Sequence, residues 1–101
     1  MEKITELEGL KALVVDDDFN TCDSVTKMLV KVGMRSEWTL SGKEAVLRAK
    51  QSMELGDAFH AYIIDWRLPD MNGIEVIQKV RSFSLVPIIV ISARSEDDDK
   101  I

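Results

Sequence analysis

The stretch Ala61-Tyr62-Ile63-Ile64-Asp65-Trp66-Arg67-Leu68-Pro69-Asp70-Met71-Asn72-Gly73 decides the fold. Four largely apolar residues run into an aspartate, and a turn rich in Pro, Asp, Asn and Gly follows. A short apolar run bounded by such residues reads as a buried strand. From Gly73 onward the pattern becomes helical, with Ile74, Ile77 and Val80 expected to face inward.

The same design recurs on both sides. Upstream, Ala12-Leu13-Val14-Val15 is a strand-like run that ends at Asp16, Asp17 and Asp18. Val25, Met28, Leu29 and Val32 then recur at helical spacing. Asn20 or Thr21 is placed to cap that helix, and Gly33 stands where a C′ glycine belongs. Met34 to Thr39 reads as a second strand. Ser41-Gly42-Lys43-Glu44 is a capping box for a helix with Ala45, Ala49 and Met53 on one face, broken at Gly56 and Asp57. Downstream, Pro87 to Ile91 is a fourth strand ending at Ser92, and the acidic run Glu96 to Asp99 opens a further helix. The order β-α-β-α-β-α-β means a parallel sheet covered by helices on both faces.

Composition sets the frame for function. The chain has 101 residues, 46% of them hydrophobic and 31% charged, which suits one domain with its own core. Cys22 is the single cysteine, so no disulfide forms within the chain, and a reducing, cytoplasmic setting is expected. A net charge of −5 argues against direct nucleic-acid binding, which needs a basic surface. The longest strongly apolar run, Val86 to Ile91, is interrupted by Pro87 and is too short for membrane insertion, and no signal peptide opens the chain.

In open parallel sheets, ligands bind beyond the carboxyl ends of the strands. Those ends carry Asp16 and Asp17 on the first strand, Asp65 on the third and Ser92 on the fourth. If these strands are neighbours, three carboxylates and a hydroxyl meet in one shallow pocket. Clustered carboxylates need a cation or a raised pKa. Hard oxygen ligands suit Mg²⁺, and Mg²⁺ beside a carboxylate suits phosphoryl transfer, with the carboxylate attacking phosphorus.

These residues resemble the receiver domain of two-component response regulators. The resemblance rests on Leu13-Val14-Val15-Asp16-Asp17, on Ile63 to Gly73, and on Pro87-Ile88-Ile89-Val90-Ile91-Ser92-Ala93, in that order and spacing. It implies a flavodoxin-like α/β fold, a doubly wound parallel sheet of strand order 2-1-3-4(-5). It implies that Asp65 accepts phosphate from a phosphohistidine on a histidine kinase or histidine phosphotransfer protein. Asp17 is then a direct Mg²⁺ ligand, Asp16 acts directly or through water, and Asp65 and the backbone carbonyl of Arg67 complete the metal site. Ser92 becomes the switch hydroxyl, and Pro69 and Gly73 shape the loop. Such a domain is a phosphoacceptor rather than an enzyme. Asn72 departs from the family's usual aspartate, which is expected to matter little.

The resemblance covers residues 11–101, with 1–10 as a lead-in. The family continues from a fourth helix into a fifth strand, with a lysine at its end, and a fifth helix; that strand and helix are not expected within a chain that stops at Ile101, and Lys100 is no substitute. The stretches Leu7 to Asp18 and Gly56-Asp57-Ala58-Phe59-His60 are similar to receivers embedded in hybrid sensor histidine kinases, which would place the domain on the cytoplasmic side of a membrane. A strand-four edge left open would favour homodimers.

Two other functions fit part of the pattern. A degenerate receiver would bind proteins without taking phosphate. A haloacid-dehalogenase-like phosphohydrolase also pairs a strand-end aspartate with a second one two positions on, as in Asp16-Asp17-Asp18, but leaves Asp65 to Gly73 unexplained. Plainer roles also stand: Asp18 or Asn20 as helix caps, Ser92 as a turn residue, Trp38 as strand packing, Trp66 as a probe beside the site, His60 as a surface residue, Cys22 as a partly buried helix residue and the methionines as core filler.

Overall fold

The computed structural model describes residues 5–68 and 70–91. A 3₁₀ turn, Thr5–Leu7, leads into β1 (Lys11–Val15), α1 (Phe19–Lys31), β2 (Arg35–Thr39), α2 (Gly42–Glu54), β3 (Ala61–Asp65), α3 (Gly73–Arg81) and β4 (Ile88–Ile91). The strands form one parallel sheet in the order β2-β1-β3-β4. The expected α/β flavodoxin-like arrangement is therefore present, with the order 2-1-3-4. The fifth strand and its helix fall outside the described residues. Pro87 lies just before β4 because it has no N–H to give a ladder, although its carbonyl accepts from Tyr62 N at 3.1 Å.

β1 is buried along its whole length, as a central strand must be when both faces are covered. Leu13 and Val15 pack with Tyr62 and Ile64 of β3 against Ala45, Ala49, Val76 and Val80 of α2 and α3. Alternation turns Ala12 and Val14 to the other face, where Cys22 of α1 is also fully buried.

Ala45, Ala49 and Val80 are buried as expected and Ile77 packs on the core, but one apolar residue of each helix departs. Met28, Met53 and Ile74 were expected inward but are 59%, 44% and 42% exposed. In their place the buried stripes take Cys22 on α1, Ser52 beside Ala45 and Ala49 on α2, and Gly73 and Val76 beside Val80 on α3. One residue is about 100° of helical rotation, so an adjacent apolar residue leaves the core face altogether. Ser52 tolerates burial because its hydroxyl donates to the Ala49 carbonyl at 2.7 Å.

The cap of α1 is Asp18, not Asn20 or Thr21; its side chain accepts from Asn20 N, and Thr21 Oγ1 donates to it at 2.9 Å. Gly33 follows the C-cap Val32 at φ +102°, as a C′ glycine should. At the N-terminal end of the sheet, Arg35 makes a two-pronged contact with Asp57 at 2.9 and 3.0 Å. Lys11 N donates to His60 Nδ1 at 2.9 Å, which joins β1 to the segment before β3. The site lies at the opposite end.

Candidate functional site

Strand pairing decides which residues meet. β1 and β3 are neighbours in parallel register, with Val15 opposite Ile64. Asp16 and Asp65 thus leave the same end of adjacent central strands. Asp16 is 2% exposed and Asp65 4%, while Asp17 is exposed. Each of the three carboxylates offers an oxygen, and these oxygens lie within 4.8 Å of one another.

Asp16 is held firmly. Its N–H donates to the Thr39 carbonyl at 3.2 Å, and its Oδ1 accepts from Asp18 N at 2.9 Å. Its Oδ2 is buried with no hydrogen-bond partner among the described residues. Burial pushes the Asp16 carboxyl up to about 6; the Asp18 N–H opposes this, and the charges of Asp65 and Asp17 add to it. A buried acceptor aimed into an acidic cluster is costly unless a cation or proton meets it. Three hard oxygen donors around such an atom fit Mg²⁺.

The loop after Asp65 is pinned at its base. Gly73 N donates to the Trp66 carbonyl at 2.9 Å, and Trp66 N donates to the Ile91 carbonyl of β4 at 2.8 Å. Asn72 caps α3 through its Oδ1, which accepts from Glu75 N at 2.9 Å. Asn caps as well as Asp, so its presence there carries no local cost. Arg67 lies exposed in this loop, two residues beyond Asp65. Trp66 is 42% exposed beside the site.

Sequence reasoning named Asp16, Asp17 and Asp65, and the fold brings all three together. Ser92, Pro69, Lys100 and the acidic run Glu96 to Asp99 lie outside the described residues. Two participants were not anticipated. Thr39 ends β2 beside Asp16, and its hydroxyl accepts from Ser41 N and donates to Glu44, each at 3.2 Å. Asp70 reaches the start of α2, where its carboxylate accepts from Ser41 Oγ at 2.9 Å, Gly42 N at 2.9 Å and Lys43 N at 2.8 Å. The partners are 27 to 29 residues away, so no local spacing betrays them.

The family described as "Response regulator receiver domain" matches residues 12–101. A CpxR homolog of Haemophilus influenzae, described as a transcriptional regulatory protein, is 32% identical over 91 residues, covering 90% of this chain and 37% of the relative. Hybrid signal transduction histidine kinase L of Dictyostelium discoideum is 37% identical over 97 residues, covering 90% of this chain and 6% of the relative. The chain thus spans well under half of either protein. Among solved structures, the receiver domain of the Arabidopsis thaliana histidine kinase CKI1, complexed with Mg²⁺ and BeF₃⁻, superposes with a TM-score of 0.76 at 31% identity, covering 87% of this chain and 68% of that one. A CheY-like receiver domain from Methylobacillus flagellatus gives 0.73 at 22% identity, covering 89% and 75%, a likeness of fold.

Proposed function

This chain belongs to the response regulator receiver domain family, and on that premise we propose that it takes a phosphoryl group onto Asp65 in two-component signalling. The observation that carries this reading is the convergence of Asp16, Asp17 and Asp65 within 4.8 Å at the end of the two central strands. Asp65 ends β3, where its backbone is fixed by pairing with Ile91 of β4. A carboxylate oxygen of Asp65 attacks phosphorus, the P–N bond of a phosphohistidine breaks, and the released imidazole nitrogen takes a proton. Asp16, Asp17, Asp65 and the Arg67 carbonyl would hold Mg²⁺. Mg²⁺, when bound, would offset negative charge on the acids and on the transferring group. The hydroxyl of Ser92 is proposed as the switch donor to the phosphoryl oxygens, and Pro69 as a shaper of the loop. The donor is a histidine kinase or a histidine phosphotransfer protein, and the setting cytoplasmic. No helix among the described residues is long and apolar enough to cross a membrane.

The dehalogenase-like alternative would require Asp18 at the chemistry. That carboxylate is occupied in capping α1, bonded to Asn20 N at 3.2 Å and Thr21 Oγ1 at 2.9 Å. The degenerate alternative is opposed by the three acids standing together.

The test is a mass measurement. The chain is incubated with Mg²⁺ and acetyl phosphate or phosphoramidate, and the gain of one phosphoryl group is read by intact mass. Gain in the wild type, absent in Asp65→Asn and without Mg²⁺, is the expected result. A folded protein that gains nothing would overturn the reading.

Self-association is a separate proposal. β4 pairs with β3 alone among the described residues, and Ile89 and Val90 are 53% and 42% exposed. Strand-edge pairing between two copies would occupy the outer edge of β4; a monodisperse monomer in light scattering refutes it.

A further inference from the structure

Asp70 is the one acidic side chain of the loop after β3, and the metal chemistry proposed above does not use it. It lies exposed on the surface yet receives three hydrogen bonds from the first residues of α2, at 2.8 to 2.9 Å. A carboxylate at a helix N-terminus meets unpaired N–H groups and the positive end of the helix dipole. Burial pushes the Asp70 carboxyl up, but the bonds from Lys43, Gly42 and Ser41 outweigh it and hold the group below the usual range. The neighbouring residues are cut to the same contact. A β-carbon on Gly42 would lie 2.6 Å from Met71 Cγ and 3.0 Å from Val76 Cγ2, so the loop rests directly on the helix start.

The helix start is in turn tied to the acids. Ser41 N donates to Thr39 Oγ1, and the Thr39 carbonyl accepts from Asp16 N. The loop that begins at Asp65 and the turn beginning at Asp16 are therefore joined by a second route, through Asp70, Ser41 and Thr39. Apart from those made by Asp70, the loop's hydrogen bonds among the described residues lie at its two ends, at Trp66 and at Asn72 and Gly73, while Leu68 and Met71 pack on the core.

We propose that Asp70 is a positioning residue for the metal site: by clasping the α2 N-terminus it holds the 66–72 loop, and with it the Arg67 carbonyl, in place beside the three acids. The proposal rests on the reading of that site as a Mg²⁺ centre. The loop has a ligand to deliver and no strand or helix of its own to hold it, so a remote helix end supplies the anchor.

The test titrates Mg²⁺ into the full chain with Trp66 fluorescence as readout. The panel is wild type, Asp70→Ala, Asp70→Asn and Asp57→Ala. Asp57→Ala removes the Arg35 pair at the far end of the sheet and controls for lost stability. Removing an outer support of a metal ligand typically weakens binding about 10-fold or more. Asp70→Ala should show that loss, Asp70→Asn, which keeps one acceptor oxygen, should recover part of it, and Asp57→Ala should bind as wild type does. Amide exchange at Trp66 to Met71 should speed up in Asp70→Ala in the absence of metal. Equal Mg²⁺ affinity in wild type and Asp70→Ala overturns the positioning role and leaves the metal site standing. A loss matched by Asp57→Ala overturns it as well, since general stability would explain the effect. No Mg²⁺ response in folded wild type overturns both readings together.

Discussion

Gly73 sits so close beneath Asp65 that a β-carbon on it would lie 2.7 Å from the Asp65 carbonyl oxygen and 3.1 Å from Trp66 Cα. Those are backbone atoms, which cannot swing aside as a side chain can. The glycine lets α3 start directly against the end of the strand that carries the proposed phosphoacceptor.

Gly73→Ala should therefore destabilise the fold and disturb the site together. Overpacking of this kind costs about 1–3 kcal/mol. Urea unfolding gives the first effect and phosphoryl mass gain the second. Wild-type behaviour in both would mean that α3 shifts freely relative to Asp65.

The pH dependence of the metal-free protein should carry the signature of Asp16. Its carboxyl rises from 3.8 to about 6 on folding, chiefly through burial. Between those values the native state binds more protons than the unfolded state, so stability falls as pH rises through that window and levels off above it. A shift of that size corresponds to roughly 3 kcal/mol. Asp57, held down by Arg35, and Asp70, held down by the α2 start, act in the opposite sense. Their contribution is present above pH 3.8 and is lost as pH falls through their lowered values. Asp16→Asn should be more stable than wild type at pH 7.5 in EDTA, with a gap that narrows towards pH 4.5. A gap independent of pH would assign the effect to packing instead.

Cys22 should not react in the native state. It is fully buried, its Sγ lies 3.6 Å from the Asp16 carbonyl, and burial pushes the thiol up to about 11. The thiolate is the reactive form, so a disulfide reagent should modify Cys22 at the rate of opening. Rapid stoichiometric labelling without denaturant would show that α1 does not pack as described.

Asp18→Ala separates structural from chemical acids in the triplet after β1. Loss of an N-cap costs about 1 kcal/mol. Phosphoryl mass gain should persist, because the Asp18 N–H that bonds Asp16 belongs to the backbone. Abolished phosphorylation in a folded variant would give the Asp18 carboxylate a chemical role.

Much of the fold was legible because two periodicities and their punctuation sit within short windows. A buried parallel strand is a short apolar run, and the acids at Asp16 and Asp65 mark where such runs leave the sheet. With parallel connections, those two facts put the acids at one end of the sheet, and the pairing of β1 with β3 brings them together. The phase of the helices was less legible. Met28, Met53 and Ile74 are apolar neighbours of the buried stripe, and hydrophobicity alone does not say which of two adjacent stripes docks. Ser52 shows the converse, a polar residue buried because its hydroxyl bonds within its own helix.

By itself the sequence determined the strands, the identity of the acidic residues and their common end of the sheet, since these follow from local pattern and parallel topology; the strand order was implied by the family resemblance. Tertiary structure alone decided that Asp16 keeps a buried oxygen without a hydrogen bond among the described residues, that Thr39 braces its backbone, and that Asp70 clasps the start of α2. Those relations join residues distant along the chain through single hydrogen bonds. Their geometry exists only once packing has set the distance between a loop and a helix end.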